Sequence, residues 1–266
     1  MAHHVPNSKV ALITGATAGL GSVFAERLAA SGHELVLVAR DAARLESRAT
    51  ELRGAHGVAV QIIAADLASD DGIARVVSHL AAAPVNVLVN NAGFGTTGVF
   101  AEADAADQER MVWLHVHAVN ALTRAALPAM LQKGNGAIIT VASVASYLTS
   151  VGNANYCATK AYQRVFMETI AIETAGSGVQ IQALCPGFTR TEFHQRAAID
   201  MSKIPAFLWT SAEEVVDTSL AALARGGPTV VIPGLVYRVI VFLVRNLPRA
   251  LVSRATGMYR RDRKAR

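Results

Sequence analysis

The chain has 266 residues, 52% of them apolar, and carries 25 Lys and Arg against 20 Asp and Glu, for a net charge of +5. A chain of this length can bury a large core. It has no internal repeat or low-complexity tract, which excludes a repeat array and predicts one domain over residues 1–266. Its N-terminus does not resemble a signal peptide. Its two cysteines, Cys157 and Cys185, have neither metal-ligand nor redox-pair spacing, which predicts a reduced cytoplasmic protein without a metal site, in which both pack internally.

Short apolar segments separated by helical stretches predict a parallel β-sheet. Seven of them are rich in Val, Ile and Leu, at residues 10–13, 35–39, 58–64, 85–89, 137–142, 180–184 and 229–232. Strands that are almost continuously apolar are buried on both faces, and parallel neighbours need helical crossovers. We therefore predict an α/β fold with a doubly wound parallel sheet of the Rossmann type, in three α/β/α layers, over a core of about residues 9–232.

The first predicted strand leads into a glycine-rich turn. Residues 14–21 read Thr-Gly-Ala-Thr-Ala-Gly-Leu-Gly, and helical spacing of apolar residues follows. Glycines allow a backbone to approach a pyrophosphate closely, and the N–H groups that begin a helix attract its negative charge. The turn therefore indicates a phosphate-binding site. The alternative is an ordinary glycine turn between a strand and a helix.

The end of the second predicted strand bears on which dinucleotide would bind. An acidic residue there would hydrogen-bond the adenosine ribose hydroxyls, whereas an arginine pairs with a 2′-phosphate. The strand ends in Ala39 and Arg40, which favours NADP over NAD. The alternative is that Arg40 is a solvated loop charge and that Asp41 serves the ribose.

Tyr156 and Lys160 stand four residues apart in the segment Asn-Tyr-Cys-Ala-Thr-Lys. On a helix this spacing places both side chains on one face, so the ammonium would lie beside the phenol. A nearby positive charge favours the phenolate and would lower the tyrosine pKa from its usual value of about 10. The pair therefore predicts an acid/base group, although such pairs also occur by chance on half-exposed helices.

Taken together, the motifs resemble those of short-chain dehydrogenases/reductases. They follow that family's order from about Lys9 to about Ile232, and beside the glycine turn, Tyr156 and Lys160 they include Asp66-Leu67, Asn90-Asn91-Ala92-Gly93, Ser143, and Pro186-Gly187 followed by Thr191. The resemblance implies an NADP-dependent oxidoreductase that interconverts a carbonyl and a secondary alcohol.

The resemblance also implies residue roles. Ser143 would orient the substrate oxygen, Tyr156 would donate the proton, and Lys160 would lower the tyrosine pKa and hold the nicotinamide ribose. Ser146 lies too close to Tyr156 in the sequence to replace Ser143. The implied cofactor-binding residues are Gly15, Thr17, Gly19, Leu20, Gly21, Arg40, Asp66, Leu67, Asn90, Ala92, Gly93, Tyr156, Lys160, Pro186, Gly187, Thr189 and Thr191.

One position departs from the family's pattern. Alignment of residues 111–130 places His115 where the catalytic tetrad of the family has an asparagine, and Asn120 is out of register. In the family, that asparagine helps to hold a water that links the lysine to solvent, so that the tyrosine can be reprotonated. Either His115 replaces it in the relay and adds a pH dependence, since imidazole titrates near pH 6.5, or His115 packs in a slower enzyme.

The segment after Pro186-Gly187 is apolar. It contains Phe193, Ile199, Met201, Ile204, Phe207, Leu208 and Trp209. In the family this segment is a mobile lid over the nicotinamide, which implies a small apolar carbonyl or alcohol substrate, with a 3-oxoacyl fatty chain as a sharper variant. The alternative is that these side chains pack in the protein's own core or in a subunit interface.

The tail from about residue 236 to residue 266 carries nine basic residues and one acid, a net +8, so the rest of the chain carries −3. This confinement of charge argues against a nucleic-acid surface. Apolar residues recur at helical spacing at positions 236, 239, 240, 243, 244 and 247, and resume at Leu251, Ala255 and Met258, but no stretch is long enough to span a membrane.

Three readings of this tail remain. It packs against a partner subunit in a homodimer or homotetramer, it lies as a basic amphipathic helix on an anionic membrane, or it is disordered. His115 and the tail together also leave open a second class of function, a protein that senses NADP(H) or docks at a membrane without turnover.

Overall fold

The computed structural model of the protein describes residues 9–96, 98–192 and 204–248. In these residues seven parallel strands form one sheet in the order β3-β2-β1-β4-β5-β6-β7. The strands are β1 (Val10–Thr14), β2 (Glu34–Ala39), β3 (Val60–Ala64), β4 (Val87–Asn90), β5 (Gly136–Val141), β6 (Val179–Leu184) and β7 (Val230–Val231). Every predicted strand is present, with ends that differ by one or two residues, and the doubly wound α/β fold is confirmed.

The helices cover both faces of the sheet. They are α1 (Gly19–Ala30), α2 (Ala42–His56), α3 (Asp70–Ala82), α4 (Ala105–Val112), α5 (Val119–Lys133), α6 (Ala154–Glu173), α7 (Ala212–Ala224) and α8 (Leu235–Asn246). A π-helical turn, Trp113–Ala118, joins α4 to α5, and short 3-10 turns lie at Val144–Tyr147 and Ala206–Leu208.

Successive side chains of each strand point to opposite faces of the sheet, so the hydrophobic core has one part on each face. Ala11 and Ile13 of β1 pack with apolar side chains of α1, α2 and α7, whereas Leu12 packs with those of α3, α5 and α6. Leu12 lies opposite Val36 of β2 and Leu88 of β4. The strand order reverses direction between β1 and β4, and in such sheets the crevice at this switch point is where ligands bind.

Short polar side chains begin several helices. Asp41 at α2, Ser69 at α3 and Ser211 at α7 each accept a hydrogen bond from the backbone N–H three residues later, at 3.0–3.2 Å. Such caps satisfy donors that the helix leaves unpaired and add about 1 kcal/mol each. Within the described part of the chain, no side chain caps α1, which begins after Ala18.

Helix α8 is the described part of the predicted tail. It turns Tyr237 and Val241 into the protein and exposes most of the apolar positions that the sequence pattern singled out. Phe242 and Leu235 are 65% and 74% exposed. Leu251, Ala255 and Met258 lie outside the described residues. None of the helices in residues 9–96, 98–192 and 204–248 has the length and apolarity to cross a membrane.

Candidate active site

The carboxyl ends of five strands meet at one edge of the sheet and carry the predicted residues. The glycine turn follows β1, Arg40 follows β2, residues 90–93 end β4, Ser143 follows β5, and Pro186 and Gly187 follow β6. Because parallel strands all end at the same edge, motifs far apart in sequence form one cleft. Helix α6 brings the remaining pair, Tyr156 and Lys160, to this edge.

The glycine turn fits a dinucleotide phosphate. Gly15 has a left-handed backbone (φ +66°), and a Cβ there would lie 2.8 Å from Asn91 Nδ2. A Cβ on Gly21 would overlap the carbonyl oxygen of Gly15. The first turn of α1 holds no acidic residue, and no described side chain caps it. Its N–H groups are thus available to an anion, and the close backbone packing requires glycine.

A polar network ties this turn to the loop after β4. The Thr14 hydroxyl oxygen accepts hydrogen bonds from the backbone N–H groups of Asn91 and Ala92, each at 2.9 Å. In return, Asn91 Nδ2 donates to the carbonyl oxygen of Thr14 at 2.8 Å. Asn90 faces the interior, where its Nδ2 donates to Thr123 and Thr140. The two loops are therefore held at a fixed separation.

Arginines line the cleft where β2 ends. Arg40 is exposed, and Asp41 uses its carboxylate to cap α2 by accepting from Arg44 N at 3.0 Å. The Arg44 guanidinium donates to the carbonyl oxygen of Thr17 in the glycine turn at 3.2 Å. Arg44 is also paired with the Glu192 carboxylate at 3.7 Å, so Arg40 is the exposed positive charge beside the turn, and one oxygen of Asp41 is engaged in the helix cap.

Asp66 also lies at this edge of the sheet. Partial burial alone would raise its pKa, but hydrogen bonds from Ala68 N at 3.0 Å and Arg110 at 2.9 Å, with the charges of Arg110 and Arg40, hold the pKa below its usual value. The carboxylate is therefore ionised at neutral pH. The side chain of Leu67 is buried in the core.

The structure brings Ser143 and Tyr156 into contact. Ser143 caps the 3-10 turn Val144–Tyr147 by accepting from Ala145 N at 3.1 Å, and its side chain is hydrogen-bonded to Tyr156. Ser146 instead lies 3.9 Å from the sulfur of Cys185 and is buried. The hydroxyl next to the phenol thus belongs to Ser143, the serine that the sequence favoured.

The lowered tyrosine pKa predicted from the sequence is wrong for this structure. Burial raises the pKa of Tyr156 to about 12, even though the hydrogen bond with Ser143 lowers it. Lys160 Nζ lies 5.8 Å from the centre of the tyrosine ring, and burial lowers the pKa of Lys160 to about 7. Sequence spacing gave the adjacency correctly. It could not show that desolvation of the phenolate outweighs the neighbouring charge.

The Lys160 ammonium is held by two oxygen atoms. It donates to the carbonyl oxygen of Val141, the last residue of β5, at 2.8 Å and to Gln163 Oε1 at 2.9 Å. Gln163 Nε2 donates in turn to the carbonyl oxygen of His115 at 2.9 Å. Lys160 and Gln163 are only 4% and 1% exposed, so these bonds are made out of contact with bulk water.

His115 is fully buried in the π-helical turn. Its Nε2 lies 3.3 Å from the backbone N–H of Phe94, which can only donate, so Nε2 is the acceptor and Nδ1 carries the proton. Nδ1 then donates to the Thr159 hydroxyl at 3.0 Å. Burial, with the charge of Lys160, holds the imidazole pKa well below its usual value. The ring is therefore neutral, and both nitrogens bond within the protein.

The turn after β6 reaches back over the glycine turn. Thr191 lies against Gly19, where a Cβ would be 3.3 Å from the threonine methyl group. Thr189 is buried, donates to the carbonyl oxygen of Gly187 at 3.1 Å and forms a parallel bridge with Thr210. Thr191, one of the predicted cofactor residues after β6, therefore faces Gly19 of the glycine turn.

The described part of the apolar segment pairs two aromatic rings. Phe188 and Trp209 have ring centres 6.0 Å apart, and both are half-buried, whereas Phe207 is exposed. Phe193, Ile199 and Met201 lie outside the described residues. Both ends of the segment are therefore fixed next to the cleft.

A family model described as short chain dehydrogenase matches residues 9–201. The chain belongs to the short-chain dehydrogenase family. The family assigned from the motifs is thus confirmed, and the protein is an oxidoreductase that acts on alcohol and ketone groups.

Three relatives illustrate the range of this family. A short-chain dehydrogenase from Sphingobium yanoikuyae, solved in complex with NADPH, is 38% identical with a TM-score of 0.81 and covers 85% of this chain and 88% of its own. The bulky-bulky ketone specific alcohol dehydrogenase from Comamonas testosteroni is 31% identical with a TM-score of 0.77, covering 92% and 97%. The 3-oxoacyl-(acyl-carrier-protein) reductase FabG of Escherichia coli (strain K12) is 30% identical over 79% of this chain and 87% of its own.

Sequence reasoning missed several residues that shape the site of this short-chain dehydrogenase. Gln163 is three residues from Lys160, so helical spacing could have revealed it. Thr159 and Tyr237 gave no comparable signal, because their partners, His115 and Phe188, lie on other elements. Asn91 belongs to one of the family's motifs, but its hydrogen bonds to the carbonyl oxygens of Thr14 and Gly15, which join the two loops of the cleft, are visible only in the structure.

Proposed function

We propose that this short-chain dehydrogenase interconverts a carbonyl and a secondary alcohol on a fairly apolar substrate, with NADP(H) as cofactor. The observation that carries the proposal is the contact of Ser143 with Tyr156, one helical turn from Lys160, at the sheet edge that also holds the uncapped start of α1. An acid/base group and a phosphate site are thereby placed in a single cleft.

Each side chain has a defined part in reduction. A bound nicotinamide supplies the hydride. The Tyr156 hydroxyl donates its proton to the substrate oxygen, which the Ser143 hydroxyl holds in place. A raised tyrosine pKa suits this direction, because the phenol is fully protonated at neutral pH. Lys160 uses two of its three N–H groups on Val141 and Gln163, and the third would hold the nicotinamide ribose.

The choice of NADP rests on the residues after β2. Arg40 is exposed beside the cleft, so a 2′-phosphate would meet positive charge there, whereas Arg44 on the glycine turn is paired with Glu192 at 3.7 Å. Asp41 caps α2, which argues against its serving the ribose. The NADPH complex of the Sphingobium yanoikuyae relative supports the same choice.

The substrate class rests on the apolar segment that ends at Trp209. The packed rings of Phe188 and Trp209 offer an apolar wall next to the cleft, and burial of apolar surface stabilises a ligand by about 25 cal/mol per Å2. The ketone specificity of the Comamonas testosteroni relative supports a bulky ketone. The Escherichia coli relative keeps a 3-oxoacyl chain as the alternative.

A panel assay tests the proposal. The protein is mixed with NADPH and, separately, with bulky apolar ketones, 3-oxoacyl thioesters and small polar hydroxyketones, and NADPH absorbance is followed. We expect turnover on the bulky ketones that Tyr156→Phe abolishes. NADPH binding without oxidation, identical in the parent and Tyr156→Phe, would instead identify a sensor. A preference for the polar hydroxyketones would contradict only the proposal that the substrate is apolar.

A second role is supported by α8. Its exposed apolar side chains, with Phe242 the largest, are flanked by Arg238 and Arg245, and the tail that includes this helix carries a net +8. We infer that this face attaches the protein peripherally to an anionic membrane, in the manner of a basic amphipathic helix. The cytoplasmic location expected from the cysteines fits attachment to an inner leaflet.

Flotation with anionic and neutral vesicles tests this attachment. The parent should float only with anionic vesicles, and the double variant Phe242→Glu with Leu243→Glu should stay in the soluble fraction. These substitutions leave the buried Tyr237 in place. If light scattering shows instead that the double variant turns an oligomer into a monomer, the face covers a second copy of the chain and the membrane role is refuted.

A further inference from the structure

Gln163 lies between the catalytic-site lysine and the backbone of the π-helical turn. Its Oε1 accepts from Lys160 Nζ, and its Nε2 donates to the carbonyl oxygen of His115, both at 2.9 Å. An ammonium only donates and a carbonyl only accepts, so the carboxamide satisfies both partners in one orientation. The bridge is 1% exposed and spans 48 residues of sequence.

The far end of this bridge is fixed from three directions. The His115 ring bonds to Phe94 N and to Thr159, and Gly93 packs so close that a Cβ there would lie 2.8 Å from the ring Nε2. The carbonyl of His115 belongs to a π-helical turn, a rare helix form that frequently occurs at functional sites. Gln163 is therefore anchored to a rigid part of the protein.

The near end of the bridge holds a buried charge. Removing a carboxamide acceptor from a desolvated ammonium leaves that ammonium with fewer partners and disfavours its charged form. The titratable groups that face Lys160 are Tyr156 on the same helix, Cys185 after β6 and His115 on the π-helical turn. Burial raises the pKa of Cys185 to about 11 and that of Tyr156 to about 12, and the pKa of His115 is well below its usual value. Near neutral pH, Lys160 is therefore the member of this group that titrates.

We propose that Gln163 is a positioning residue that keeps the Lys160 ammonium charged and fixed beside Tyr156, through a direct amide bridge to the His115 carbonyl. An amide has no proton to transfer near neutral pH, so Gln163 holds the Lys160 ammonium in place and does not relay protons to it. His115 then serves as the rigid base of the bridge. The predicted effect on kcat rests on the proposed function, whereas the predicted effect on the charge of Lys160 does not.

Two substitutions should act in opposite directions. Gln163→Met conserves volume and removes the acceptor, so the pKa of Lys160 should fall and the alkaline limb of kcat against pH should move to lower pH. Gln163→Glu adds a negative charge, so both should move upward. Because hydrogen bonds to charged groups are the stronger class, kcat at neutral pH should drop about 10- to 100-fold in Gln163→Met. A residue that only filled space would not give shifts of opposite sign.

The matched control is Gln182, a second buried glutamine, on β6. Its carboxamide bonds to Ser219 of α7, on the opposite side of the sheet from Lys160. Gln182→Met should destabilise the protein without moving the pH profile. If Gln163→Met and Gln182→Met give the same profile as the parent, the proposal is wrong.

A titration of Lys160 itself needs no turnover. The sequence has five lysines, so 13C-labelled lysine gives a simple NMR spectrum in which Lys160→Arg identifies the signal. We expect its pKa to move down in Gln163→Met and up in Gln163→Glu. If these shifts occur in a protein that oxidises no NADPH, the proposed function fails and the bridge stands. If turnover occurs and Lys160 titrates identically in all variants, the bridge fails. Should Gln163→Met not fold, Gln163→Glu and Gln163→Asn, which is too short to join both partners, decide the question.

Discussion

The ring of Tyr237 on α8 lies so close to Gly187, in the turn after β6, that any side chain at residue 187 would overlap it. The Tyr237 hydroxyl accepts from Phe188 N at 2.9 Å and donates to the carbonyl oxygen of Leu208. Phe188 and Leu208 stand at the two ends of the apolar segment that follows β6. The first helix of the tail therefore holds both ends of that segment.

Tyr237→Phe should keep the ring packing and release these ends. Loss of the two hydrogen bonds should lower the free energy of unfolding by about 1–3 kcal/mol, since a typical bond contributes about 1 kcal/mol. KM for the ketone should rise more than KM for NADPH, because Phe188, whose N–H loses its partner, packs with Trp209 in the apolar wall proposed for the substrate. Urea unfolding and steady-state kinetics measure these effects. The control is Tyr162→Phe on α6, which removes a hydroxyl that accepts a 3.4 Å bond from Asn120. Equal effects of the two variants would contradict the role of Tyr237 in holding the segment.

His115 should make the protein sensitive to acid. Its folded pKa lies well below the unfolded value of about 6.5, so as pH falls through that value the unfolded chain binds a proton that the native protein does not. The free energy of unfolding should therefore decrease as the pH falls below about 6.5. His115→Asn should flatten this part of the curve, measured by urea unfolding at a series of pH values. His117→Asn, an exposed histidine of the same π-helical turn, should leave the slope intact.

Arg40 should decide the preference between the two dinucleotides. Removing a charge-assisted contact with the 2′-phosphate in Arg40→Ala should lower kcat/KM with NADPH about 10- to 100-fold and leave that with NADH nearly unchanged. Asp41→Ala should cost about 1 kcal/mol of stability through loss of the α2 cap and leave the ratio between the dinucleotides unaltered. A loss of NADH activity in Asp41→Ala would show that this carboxylate serves the ribose after all.

Gly21 should be essential for dinucleotide binding. A methyl group there would overlap the carbonyl oxygen of Gly15 and push the turn out of place, so Gly21→Ala should weaken NADPH binding, measured by fluorescence titration, by more than tenfold. Gly54→Ala, inside α2, where no described atom outside the adjoining residues and helix backbone lies within 4 Å of the new methyl group, should bind NADPH normally and gain about 0.5–1 kcal/mol of stability. Normal binding by Gly21→Ala would remove the glycine turn from the cofactor site.

Local periodicity in the sequence predicted the strands and helices of the fold, and the order of the motifs matched that of the family. Continuous apolar runs gave the seven strands, and the four-residue spacing of Tyr156 and Lys160 placed them one helical turn apart, because strand burial and helix geometry depend on residues close in the chain. The serine beside the tyrosine, Ser143, was predicted from the family's motif order, because a serine after a strand is by itself more often a turn former or helix cap.

Only the tertiary structure decided the electrostatics and the supports of the site. The pKa of Tyr156 is raised and not lowered, because packing by the surrounding elements reduces the contact with water that would solvate a phenolate. Gln163 reaches His115 across 48 residues, and Tyr237 reaches Phe188 across 49. Such contacts depend on how distant elements pack. The sequence therefore predicted the reacting side chains, but not the residues that position them or the environment that sets their pKa values.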